Sequence, residues 1–177
     1  MANFKVFNRS TRPLYTQNVN TYASPVIGTE AGSGAASAGE SFMLTSGSVS
    51  VPASQSLLLQ ISNPSGSGKS VHVSRISGGA TAAAAVNVYS GGTITGGTTP
   101  TPQNNLFGSS IASVVAARQN NGTLGGTPIL YLNLPITTGI YSINLDGSLI
   151  VPPGQTLTVT LGTGALTASV NLTWWEA

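Results

Sequence analysis

One stretch constrains this chain more than any other: Ser148-Leu149-Ile150-Val151-Pro152-Pro153-Gly154-Gln155-Thr156-Leu157-Thr158-Val159-Thr160-Leu161. Pro152-Pro153-Gly154 cannot continue a sheet ladder, because proline has no N–H to donate and its φ is fixed, so the chain must bend there. Beyond the bend, Leu157, Val159 and Leu161 alternate with Thr156, Thr158 and Thr160, the period of a strand with one apolar face. The same unit occurs earlier as Ser48-Val49-Ser50-Val51-Pro52-Ala53-Ser54-Gln55-Ser56-Leu57-Leu58-Leu59-Gln60-Ile61. Ser48, Val51, Pro52, Gln55 and Leu57 match Ser148, Val151, Pro152, Gln155 and Leu157 in register. A strand–corner–strand unit near each end of one domain predicts a sandwich of two similar halves.

The remaining chain agrees with an all-β reading. Alternation and turn residues predict strands over 41–44, 47–51, 56–63, 69–77, 83–90, 127–134, 139–145, 147–151, 155–162 and 167–175. Asp146-Gly147 between two such runs is the signature of a two-residue hairpin. Residues 63–68 and Asn120-Asn121-Gly122 read as further turns, and 91–110 reads as loop. Residues 111–118 are ambiguous between helix and strand, with strand favoured over Ser113–Ala117. In the last run Ala168, Val170, Leu172 and Trp174 share one face, the core side, and Trp175 falls on the other. Trp175 therefore either caps the sandwich or marks a contact surface. The expected fold is a jelly-roll β-sandwich of about eight strands spanning residues 41–177.

Residues 1–40 stand apart. Phe4 and Val6 alternate with Lys5, Phe7 and Arg9, a pattern for a short strand near 3–9, and Pro13 and Pro25 interrupt the chain beyond it. Gly28 to Glu40 is almost all Gly, Ala and Ser, a linker with no core-forming side chains. An extended arm on such a tether either folds back on its own domain or adds a strand to a neighbouring copy. Phe4, Val6 and Phe7 are the candidate docking residues.

Composition bears on function through charge. Only 6% of the 177 residues are charged, where soluble domains carry about 25%. A surface of Ser, Thr, Asn, Gln and Gly has little repulsion to keep copies apart, which suits a protein that packs against itself. The net charge of +2 comes from scattered groups, with no basic stripe interleaved with aromatics, so nucleic acid is not an expected partner. No run of about 18 apolar residues is present, so no spanning helix is expected. The first residues lack the basic start, apolar run and cleavage site of a signal peptide, so an extracellular or surface location is expected to be reached by lysis or a special route, or the sequence is that of a mature form.

No catalytic, cofactor or metal site is expected. Gly66-Ser67-Gly68-Lys69-Ser70 ends like a phosphate-binding loop, but the pattern requires glycine where Asn63 stands, and it must open a helix. Val71-His72-Val73-Ser74-Arg75-Ile76 alternates as a strand instead. His72 is the sole histidine, and the four acids, Glu30, Glu40, Asp146 and Glu176, are spread along the chain, poor material for a triad or a metal site. With no cysteine, disulfides and thiolate chemistry are excluded. Tyr15, Tyr22, Tyr89, Tyr131 and Tyr141 could stack on sugars, but no cluster of them supports carbohydrate as a partner. Tyr131 and Tyr141 read better as residues packing on a sheet surface.

The strand count, the Val151-Pro152-Pro153-Gly154-Gln155-Thr156-Leu157-Thr158-Val159 corner and the final Leu172-Thr173-Trp174-Trp175 resemble the small jelly-roll subunits of bacterial endospore appendages. That resemblance covers most of the chain and rests on architecture rather than on a diagnostic motif. It implies a connector at 1–40, a jelly roll at 41–177, and polymerisation through sheet edges into a fibre or surface appendage. Members of that family cross-link through connector cysteines. This chain has none, so the resemblance implies a homopolymer held by non-covalent contacts. Phage capsid-decoration and head-fibre proteins are similar in the same features, and a lectin-like binding module is the other alternative.

Overall fold

The computed structural model describes residues 31–177, and Phe4, Val6 and Phe7 lie outside them. The described residues form a β-sandwich. Its strands are β1 (Ser41–Thr45), β2 (Val49–Val51), β3 (Ser56–Ser62), β4 (Val71–Ala80), β5 (Ala84–Ser90), β6 (Gln103–Asn104), β7 (Ala116–Gly122), β8 (Ile129–Ile136), β9 (Gly139–Val151), β10 (Thr156–Leu161) and β11 (Leu166–Glu176). One sheet runs β6-β1-β11-β4-β9, with β2 also on β11, and the other runs β7-β3-β10-β5-β8. All of the pairings are antiparallel.

The two proline corners do the same job. Each carries the chain from the first sheet to the second, β2 to β3 and β9 to β10. At each, the Gln N–H bonds the carbonyl of the first proline, Gln55 to Pro52 at 3.2 Å and Gln155 to Pro152 at 3.1 Å. The third turn residue has positive φ, 64° at Ser54 and 81° at Gly154. This is a type II turn, which favours proline second and glycine third, as Pro153-Gly154 supply. The strands that leave the corners pair with each other, and Leu59 faces Val159, its own counterpart in the repeat. A local two-fold axis therefore passes between them. The units β2–β3–β4 and β9–β10–β11 follow one itinerary of first sheet, second sheet, first sheet, and close on each other through β4–β11.

The core lies between the sheets. Ala168, Val170, Leu172 and Trp174 of β11 are buried, as the alternation predicts, and face Leu57, Leu59, Ile61, Leu157, Val159 and Leu161 in one cluster. Tyr141 also faces inward, not onto the sheet surface as the sequence suggests. Its hydroxyl donates to the Ser169 carbonyl at 3.3 Å, and burial raises its pKa above the ordinary tyrosine value. Room for the ring comes from Gly78 on the neighbouring strand, where a Cβ would fall 2.8 Å from the Tyr141 hydroxyl oxygen and 2.0 Å from the Ser169 carbonyl oxygen.

Several local readings are corrected by long-range pairing. Asp146-Gly147 is not a hairpin. Both residues have the positive φ that such a turn needs, 48° and 79°. Yet β9 continues through them, because the runs on either side pair with the same strand, Asn144 with Arg75 and Leu149 with Val73. The turn chemistry is spent on a bulge. Residues 63–68 are not a hairpin either, since β3 and β4 lie in different sheets. Asn120-Asn121-Gly122 is the end of edge strand β7. Its asparagine side chains donate to the carbonyls of Thr95 and Ser50 at 2.8 and 2.9 Å, so they tether neighbouring loops instead of turning the chain. Within the expected linker, Ala31–Ser37 forms a short helix, α1. Gly39 ends it with φ 75°, the Gly39 N–H bonding Ala36 and the Glu40 N–H bonding Ala35. That is a Schellman cap.

The repeat makes its own prediction. Ser54 holds a left-handed backbone that its partner Gly154 holds without a Cβ penalty. Ser54→Gly is expected to stabilise the protein by about 1 kcal/mol, and Gly154→Ala to destabilise it by about as much. Urea denaturation midpoints check both.

Candidate functional site

The described surface offers three places where function could reside: the outer face of the first sheet around Trp175, and the two lateral sides where edge strands face each other.

Trp175 lies on the outer face, as its register dictates, but it is half-buried. Its ring stacks on the His72 imidazole with centroids 5.4 Å apart and planes 2° from parallel. His72 in turn approaches the Gly147 carbonyl at 3.4 Å. A Cβ on Gly147 would lie 1.9 Å from the indole, so only glycine lets the β9 bulge close over the ring. Gly32 of α1 comes in from above, its Cβ position 3.8 Å away. The bulge and α1 thus cover much of an aromatic that would otherwise be bare. The cavity beside it is lined, among the described residues, by Ala31, Gly32, Ser74, Asp146 and Trp175, of which Asp146 is the one titratable group. His72 is held by this stack and by the Gly147 carbonyl. Among the described residues no group of three His, Cys, Asp or Glu side chains could hold a metal. The strand after Gly66-Ser67-Gly68-Lys69-Ser70 stands where a phosphate loop needs a helix.

One lateral side is closed. The segment between β6 and β7 crosses from the first sheet to the second, and Glu176 is its anchor. Glu176 is only 1% exposed. Its carboxyl group accepts from the Ser113 hydroxyl, from the Val114 N–H at 3.2 Å and from the Trp174 indole N–H at 3.2 Å. In the sequence this acid looks like an isolated C-terminal residue. The only signal of its role is its inward register two places after Trp174. Further along, Asn104 Nδ2 donates to the carbonyls of Gly39 and Ile111 at 2.7 and 3.0 Å, and Asn105 Nδ2 donates to Ser41 Oγ at 2.7 Å. A turn closed by Ser109 N–H on Leu106 carbonyl holds Phe107 outward, 96% exposed.

The opposite side is open. It is bounded by edge strands β8 and β9. Their inward rows, Leu132, Leu134 and Ile136 against Ile143, Leu145 and Leu149, are only partly buried where the other side's Val115 and Ala117 are buried. Ile129, Leu130, Tyr131 and Ile150 are exposed around them. A cleft of about 200 Å³ between the strands, lined by Ile76, Val88, Tyr131, Leu132, Leu145 and Leu149, reaches the core. It adjoins a larger pocket of about 310 Å³ that shares Tyr131 and Leu149 with it and is bordered by Pro152 and Gln155 of the second corner. Asp146 is the one charged residue on either strand. Edge strands in soluble proteins are ordinarily blunted with charges, proline or bulges; here β8 has Pro135 and β9 has the Asp146-Gly147 bulge, and neither strand carries a lysine.

No family model, curated protein or solved structure matches this chain.

The Glu176 anchor can be tested directly. Glu176→Ala leaves the Ser113 hydroxyl, the Val114 N–H and the Trp174 indole N–H without their acceptor. A loss of about 3 kcal/mol is expected. Hydrogen exchange should show the 105–115 amides opening at lower free energy than those of β3 and β10.

Proposed function

We propose that this chain is a structural subunit whose copies assemble non-covalently into a fibre or surface appendage, and that its sandwich is a jelly roll. The strand orders β1-β11-β4-β9 and β3-β10-β5-β8 support the second part, since β2 to β7 and β8 to β11 each alternate between sheets and most partners are distant in sequence. The observation that carries the first part is the open β8–β9 side: two long edge strands whose inward apolar rows are only partly buried, with a single charge between them. Such an edge offers free backbone donors and acceptors beside apolar surface, the combination that recruits further chain. Low overall charge points the same way, because 6% charged residues give little long-range repulsion between copies.

In this reading residues 1–30 add to the assembly from outside the sandwich. The described chain begins at Ala31 beside Asp146 and Trp175, on the face of the β9 edge. Phe4, Val6 and Phe7 reach a neighbouring copy from that point. Thirty extended residues span up to about 100 Å, more than the diameter of one domain. The location would be extracellular, or on a cell, spore or virion surface. Among the described residues no helix is long and apolar enough to cross a membrane.

Purified full-length protein is expected to give filaments in negative stain and a scattering mass that grows with concentration. Deleting residues 1–30, which spares α1, should raise the concentration needed for assembly at least tenfold. An unchanged threshold would remove the arm from the mechanism. A monomer that persists at millimolar concentration would overturn self-assembly itself.

A further inference from the structure

Phe107, which with Ile140 is the most exposed of the large apolar side chains among the described residues, and the β8–β9 cleft lie on opposite sides of one molecule. The placement comes from the sheet orders. β6 and β7 are the outer strands at one end of the two sheets, and β9 and β8 are the outer strands at the other. Phe107 sits on the segment joining β6 to β7. The cleft lies between β8 and β9.

We infer that Phe107 of one copy inserts into the β8–β9 cleft of the next, making a head-to-tail contact that repeats along a filament. The inference rests on the self-assembly reading and names its contact.

Three features of the Phe107 turn fit this role. It is built to hold its shape: Leu106 N–H bonds Asn104 Oδ1 at 2.8 Å, Ser109 N–H bonds the Leu106 carbonyl at 3.0 Å, and Ile111 N–H bonds Ser109 Oγ at 3.2 Å. Leu106 and Ile111 lean on the α1 cap, within 3.6 and 3.1 Å of a Cβ position on Gly39, and stay about half exposed, while Phe107 between them is 96% exposed. A fixed backbone means that little loop entropy is lost on docking. The segment from Asn105 to Ala117 also carries no charge.

The cleft complements it. At about 200 Å³ it suits one aromatic side chain, and it adjoins the pocket of about 310 Å³ that shares Tyr131 and Leu149 with it. None of its six lining residues is charged, so neither partner has an ion to desolvate when they meet. An aromatic in a pocket that reaches the core is the usual form of an interface anchor. Because donor and acceptor are different surfaces on opposite sides, the contact is heterologous. Such a contact leaves a free knob at one end and a free cleft at the other, and generates an open chain unless the rotation happens to close.

The absence of cysteine allows a clean test. Full-length Phe107→Cys protein is mixed with full-length Tyr131→Cys protein and mildly oxidised. A disulfide-linked heterodimer is expected in the mixture on a non-reducing gel. Separately, Phe107→Ser should raise the assembly threshold at least tenfold with an unchanged urea midpoint, since a residue 96% exposed contributes little to the fold. Wild-type filaments together with no cross-link and an unshifted Phe107→Ser threshold would overturn the knob-and-cleft contact and leave self-assembly standing. No filaments and no cross-link would overturn both. A cross-link from Phe4→Cys to Tyr131→Cys, in place of the one from Phe107→Cys, would make the arm the occupant of the cleft and overturn the inference.

Discussion

The pairing of β3 with β10 is the constraint on which the rest of the structure depends. These strands are buried on both faces. Inward, Leu57, Leu59, Ile61, Leu157, Val159 and Leu161 fill the core. Outward, Leu58, Gln60, Thr158 and Thr160 are also covered. A covered polar row is costly unless every group is paired. Gln60 Nε2 donates to Thr158 Oγ1 at 2.8 Å and to the Gly92 carbonyl at 3.1 Å, and Thr158 Oγ1 donates to the Gly91 carbonyl at 2.8 Å. The glycine-rich segment after β5 is thereby tied across the outer face of the second sheet. Gly97 fits there only because it lacks a Cβ, which would lie 2.0 Å from the Gln119 carbonyl oxygen. What reads as loop in the sequence is a fixed strap, and its fixity comes from a strand it does not belong to.

The same economy explains the asymmetry of the two lateral sides. Both ends of a sandwich expose the rims of its core. At one end, the segment from β6 to β7 crosses the gap and is pinned by a buried glutamate, so Val115 and Ala117 complete the core. At the other end, nothing in the described chain crosses the gap where Tyr131 and Leu149 stand, and the inward rows of β8 and β9 are left half-covered. A monomer would gain by burying them, at about 25 cal/mol per Å² of apolar area. Lys69 and Glu40, 3.0 Å apart, form the one ion pair among the described residues, and it is partly exposed, so ionic contacts contribute little to the fold. The protein depends on apolar burial and neutral hydrogen bonds, and those same forces are available at its open side.

Much of the fold is legible in the sequence, for identifiable reasons. The proline corners are readable because a Pro-Pro-Gly step has few conformations open to it. The faces of β10 and β11 are readable because a single strand period sorts Leu157 from Thr158 and Trp174 from Trp175 without reference to partners. The errors share a cause. Asp146-Gly147 has hairpin chemistry and adopts the hairpin backbone locally, but pairing of both flanks with β4 turns it into a bulge. Residues 63–68 resemble a hairpin because turn residues report a reversal and not which sheet the chain enters next. Ala31–Ser37 has poor intrinsic helix support in its glycines and serines, and becomes helical where small residues let the backbone settle against Trp175. The candidate surfaces are less legible still. Alternation finds Trp175, but neither Phe107 nor the cleft carries any motif, since an exposed phenylalanine in a loop and a half-buried leucine on an edge look ordinary one at a time.

By itself, then, the sequence determined the faces of β10 and β11, the bends at the two proline corners, the low charge and the absence of thiol chemistry. Each of these is a property of a residue or of its near neighbours in the chain. Tertiary structure alone decided that β9 continues through Asp146-Gly147, that Glu176 is a buried anchor rather than a solvated terminus, and that one lateral side is sealed while the other is open. Those outcomes depend on which strand lies alongside which, and pairings such as Leu59 with Val159 join residues too far apart in sequence for any local pattern to encode.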